Sequence, residues 1–113
     1  MKKAQKKKVK SIIENGCLLM SEFTHLINNN HYDRCVVGEL LSAVGVTDEE
    51  LEEMNGNSIS DYRLVSWMPK LKAEFGITFD QLVRLEKEND RHKSTPTRRL
   101  RLAETVDSFP TED

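Results

Sequence analysis

Glycine and proline are scarce in this chain of 113 residues, five and three in all. That leaves little material for the turns of a β-rich fold. Apolar runs are short, and none approaches the ~18 residues of a membrane-spanning helix. The basic start is followed by no apolar segment with a small-residue cleavage site, so no secretory signal is expected. Cys17 and Cys35 are the only cysteines, too few for a disulfide framework. The expectation is a reducing cytoplasm with both as thiols. Ser-His-Asp signatures and glycine-rich phosphate loops are missing as well. Neither enzymatic activity nor a cofactor is therefore expected.

What is present is charge, in blocks. Charged residues make up 32% and hydrophobic residues 37%, a balance that suits one charged helical domain over 1–113 better than a disordered chain. The net charge of −2 hides an uneven spread. Six lysines fall in residues 1–10, and five acids in DEELEE at 48–53. Five Lys/Arg with His92 fall in 91–101, and the chain closes on an acidic tail, 110–113, expected to fray. Such blocks steer partners or pair within the molecule.

The segment 33–44, DRCVVGELLSAVG as far as Gly45, is the expected central helix. Val36, Val37, Leu40, Leu41, Ala43 and Val44 form a wide apolar arc. Cys35, Gly38 and Ser42 form a small-residue stripe behind it, which lets a second helix approach. Asp33 is the expected N-cap, and Gly45 the left-handed stop. Before it, 3–28 reads as one long helix or two, interrupted at Asn15-Gly16. Val9, Ile12, Gly16, Leu19, Phe23 and Leu26 make a heptad seam that can extend into a dimer. Asn28, Asn29 and Asn30 end that segment.

After it, Thr47 and Glu50 form a capping box opening a short helix 48–54, which ends at Asn55-Gly56. Ser58 or Ser60 starts a segment whose core face is Leu64, Met68, Leu71 and Phe75, with a break expected at Pro69. Thr78 caps a helix 79–90 with Phe79, Leu82, Val83 and Leu85 inward. Thr95 caps a last helix, 96–108, with Leu102, Ala103, Val106 and Phe109 inward. The fold class is thus all-α: a compact bundle of five to six helices around 33–44, with the N-terminal helix the longest. GVTDEEL at 45–51 and GITFDQL at 76–82 read as two joints using the same turn chemistry.

Each candidate site has a plain structural alternative. The helix-turn-helix reading of 35–54 and 66–90 suffers from an acidic second helix in the first and from Lys72 at a small-residue position in the second. Cys17, His25, His31 and Cys35 lack paired-ligand zinc spacing, so no metal site is expected. Cys35, in a first helical turn, is where a dipole lowers a thiol pKa, yet packing alone explains it. The residues expected to make contacts are Lys6, Lys7, Lys10, Arg98, Arg99 and Arg101. They would face another protein or, through phosphates, nucleic acid. No aromatic lies among them to stack on bases.

Cys35-Val36-Val37-Gly38-Glu39-Leu40-Leu41, the Gly45-Val46 turn, Leu85 and then Asn89-Asp90 resemble a loose group of small phage and bacterial proteins. That group carries a Cys-x-x-Gly-x-Leu helix and a Leu-x-x-Asn-Asp step. The step here is longer than is usual in the group, and the likeness runs from about Leu26 to Phe109. It implies a helical fold and a phage or mobile-element origin, and it carries no activity. Taken together, these readings point to a small non-enzymatic module that docks on another protein, such as a host factor. The alternative is a nucleic-acid accessory protein using the basic segments 1–10 and 91–101.

Overall fold

The computed structural model describes residues 1–18, 26–27, 33–56 and 62–112. Six helices occupy them: α1 (Lys3–Asn15), α2 (Val36–Ala43), α3 (Asp48–Met54), α4 (Tyr62–Phe75), α5 (Phe79–Arg91) and α6 (Thr95–Ser108). The fold is the all-α bundle that the periodicity predicts. Among the described residues no helix is long and apolar enough to cross a membrane.

α2 sits at the centre. It packs on α1, α4 and α5, while α6 closes the far side against α1 and α5. Val36, Val37, Leu40 and Leu41 are fully buried, and Ala43, expected inward, is exposed. The helix is capped by Cys35 rather than Asp33: the Gly38 N–H donates to the Cys35 Sγ at 3.4 Å. The small-residue side meets extended backbone where a helix was expected. Ile27 and Arg34 form an isolated antiparallel bridge, and the Cys35 N–H donates to the Leu26 carbonyl at 3.2 Å. A Cβ on Gly38 would lie 2.3 Å from that carbonyl, so only glycine admits the strand-like piece. Asn55, capping the end of α3, holds the same piece from the other side. Its Oδ1 accepts the Leu26 N–H at 2.7 Å, and its Nδ2 donates to the Ile27 carbonyl at 3.0 Å.

The N-terminal segment departs from the expected long helix. α1 stops at Asn15 with Gly16 as its cap, and at 13 residues it is one shorter than α4 and α6. Leu18 then enters the left-handed region, at φ +55°. Of the seam residues, Val9, Gly16 and Leu26 are buried in the molecule's own core, and Ile12 is half-buried against it. Leu19, Phe23, His25, His31, Asn28–Asn30, Ser58 and Ser60 lie outside the described residues, and with them the expectations they carried.

α4 runs unbroken through Pro69. The proline removes one hydrogen bond on the exposed side, while Leu64 before it and Leu71 and Phe75 after it are buried in one core. Burial of that face outweighs the missing bond. The two Thr joints are built alike. Gly45 and Gly76 adopt positive φ, Val46 and Ile77 are buried, and Thr47 and Thr78 close capping boxes with Glu50 and Gln81. On α5, Phe79 is 40% exposed and the inward face extends to Glu86 and Asn89. α6 starts at Thr95, the expected cap, with Ser94 before it making no side-chain capping bond and Pro96 in its first turn. The 110–112 tail is tied down: the Met1 ammonium donates to the Pro110 carbonyl at 3.2 Å and pairs with Glu112 at 3.1 Å.

Candidate partner-binding surface

Three of the six expected contact residues turn toward the molecule's own backbone. Lys6 is buried, and its ammonium donates to the Asp107 and Phe109 carbonyls at the end of α6. A cation there meets the unsatisfied carbonyls and the negative end of the helix dipole. Arg98, also buried, bridges loops by donating to the carbonyls of Leu18, His92 and Lys93. It therefore holds the strained Leu18 turn in place. Arg99 donates to the Gly16 carbonyl at 2.9 Å.

Lys10 and Arg101 lie outward but in ion pairs, with Asp107 and Glu104, each at 3.0 Å. Lys7 alone of the six is exposed with no bonding partner among the described residues. Of the five acids of 48–53, Asp48 holds Arg34 at 2.7 Å and Glu53 holds Arg63 at 3.3 Å. The sequence signal for lysine and arginine is the same whether the side chain reaches a partner or a carbonyl. Long stems buried against the core with heads on helix ends are a common outcome.

The two cysteines lie in different surroundings. Cys17 is exposed, and a hydrogen bond with Asp33, then burial, raise its thiol pKa. Cys35 is fully buried, and burial, then the Glu86 carboxylate, push its thiol well above the ordinary range. Its Sγ–H donates to Glu86 Oε2 at 3.8 Å. The lowering expected from the helix N-terminus is outweighed by lost hydration. Among the described residues no group of His, Cys, Asp and Glu has the makings of a metal site.

An open groove lies where α1, α2 and α4 meet. Its larger part, about 540 Å³, has Ile12, Phe75, Ala4 and Ala43 on its walls, with Lys7, Lys8, Ser11 and Glu74 among them. Lys8 and Glu74 pair across it at 2.9 Å, leaving the Lys7 charge unbalanced at the mouth. A smaller part, about 260 Å³, shares Ser11, Ile12 and Ala43 and continues past Asn15 to Glu39 and Ser42 on α2. The α1 residues from Ala4 to Asn15 therefore line a trough of roughly 16 Å at 1.5 Å per residue. Periodicity pointed Ala43 inward and gave no reason to place Phe75 beside a groove. Only a clash between the apolar arc of α2 and the length of its neighbours could have revealed the opening. Set against protein-family models, curated proteins and solved structures, the chain finds no match in any of the three.

Proposed function

We propose that this protein is a small non-enzymatic module that docks on another protein through the groove between α1, α2 and α4. The observation that carries the reading is the groove itself: apolar walls at Ala4, Ile12 and Ala43 open to solvent, backed by the buried Phe75, with the unbalanced Lys7 at its mouth. Such a trough suits an amphipathic helix or an extended segment with one or two apolar anchors. The nucleic-acid alternative has less support, because Lys6, Arg98 and Arg99 serve internal carbonyls. Following the phage-like resemblance, the partner would be a bacterial host protein.

Immobilised protein is incubated with bacterial lysate, with and without nuclease, beside an Ala43→Arg variant that fills the groove from an exposed position. A partner retained by the native protein and lost by the variant supports the reading. Partners held equally by both place the contact elsewhere. Capture abolished by nuclease turns the reading to nucleic acid.

A further inference from the structure

α4 carries a second surface, separate from the groove. Tyr62, Val65, Pro69 and Ala73 recur at steps of three, four and four residues, so they share one side of the helix. Leu64, Leu71 and Phe75 are buried on the other side. Tyr62 is 80% and Val65 65% exposed, and Pro69 and Ala73 are exposed as well. The stripe is thus an apolar ridge of three turns, roughly 16 Å long. By helical position, Lys70 and Lys72 flank it on opposite sides. Neither meets a carboxylate among the described residues. The Lys70 ammonium lies 4.7 Å from the centroid of the Trp67 ring.

We infer that this ridge docks an acidic amphipathic helix of another protein, with apolar residues on Val65 and Pro69 and carboxylates on Lys70 and Lys72. Charge selects this occupant. Lys70 and Lys72 stand beside the ridge with no carboxylate on either among the described residues, whereas Arg63 is held by Glu53 and the one acid of α4, Glu74, by Lys8. A second copy fits poorly. α4 laid on α4 brings lysines from both copies into one contact, and four side chains fall short of the roughly 800 Å² per partner of a stable dimer. The acidic α3 of a second copy offers no apolar face, because Leu51 and Met54 are buried. Docking here goes beyond the groove reading: α4 gives the groove Glu74 and Phe75, and none of the four ridge residues.

The test is a displayed library of helical peptides with apolar residues fixed at three- and four-residue spacing and the flanking positions varied, selected on the full chain. The expected result is enrichment of Asp and Glu beside the apolar positions. A selected peptide should bind about tenfold more weakly to Val65→Asp and to the Lys70→Glu, Lys72→Glu double variant. Its binding should weaken as salt rises and survive Ala43→Arg, which touches only the groove. All three substitutions are at exposed positions, and circular dichroism checks that the helices persist. No enrichment, enrichment without acid bias, or binding indifferent to both ridge variants overturns the inference. So does sedimentation with phosphatidylserine vesicles in the absence of peptide binding, which would assign the ridge to a membrane surface.

Discussion

The Asn89 side chain caps a helix to which it does not belong: its Oδ1 accepts the Val36 N–H at 3.1 Å, at the first turn of α2. Asn89 is fully buried, so the amide has no water to fall back on. Replacing Asn89 with Ala strands a buried donor and should cost about 1–3 kcal/mol. Urea denaturation followed by circular dichroism measures it. A loss within a few tenths of a kcal/mol would mean that α2 is capped by other means.

Gly38→Ala is the sharpest test of how Leu26 packs. Alanine in a helix interior is ordinarily favoured over glycine by roughly 0.5–1 kcal/mol. Here the added carbon would meet the Leu26 carbonyl at 2.3 Å, backbone against backbone. The expected outcome is a net loss of about 1–3 kcal/mol, read from the same denaturation curves. A more stable variant would show that the bridge between Ile27 and Arg34 yields freely.

Lys6 and Lys7 are neighbours in sequence with opposite roles, and methionine at each position separates them. Lys6→Met removes the cation from the Asp107 and Phe109 carbonyls. It should lower stability by about 1–2 kcal/mol, some 4 °C or more in Tm. Lys7→Met should leave Tm within error and weaken capture of any groove partner. A calorimetric scan of both variants decides between this assignment and two equivalent surface lysines.

The two thiols should differ in reactivity. At pH 8 in native buffer, iodoacetamide should reach Cys17, more slowly than a free peptide thiol because Asp33 raises its pKa. Cys35 should be labelled only as the protein unfolds. The same burial has a pH consequence. The folded pKa of Cys35 lies above its unfolded value, so its contribution is complete below the ordinary thiol pKa of about 8.5. As pH rises from there toward the folded pKa, the unfolded chain ionises first, and stability falls by up to about 1.4 kcal/mol per pH unit. Subtracting the curve of Cys35→Ala isolates this slope. An unchanged slope, or rapid native labelling of Cys35, would contradict the buried placement.

Elements held by local chemistry were legible before any coordinates. The boxes Thr47–Glu50 and Thr78–Gln81 and the stops at Gly45, Gly56 and Gly76 follow from backbone rules within a few residues. So does the core face of α4. What escaped depends on distant partners. Pro69 reads as a break until the core on both sides of it is known. The run from Val9 to Leu26 reads as one seam, yet Arg98, 80 residues beyond Leu18, helps to hold the turn that ends it. Lys6, Arg98 and Arg99 looked like surface charge because nothing nearby in sequence announces the carbonyls they serve. Of the candidate site, Lys7 was anticipated, and the groove it borders was not.

The capping of α2 from 53 residues downstream also ties two distant parts of the chain together. Eight residues are too few to persist as an isolated helix in water. The segment therefore depends on its neighbours for its helical form, and α5 supplies one of the bonds that hold its first turn. A truncation ending ahead of Asn89 would remove that bond together with the α5 face that covers Val36 and Val37, leaving apolar surface open to water.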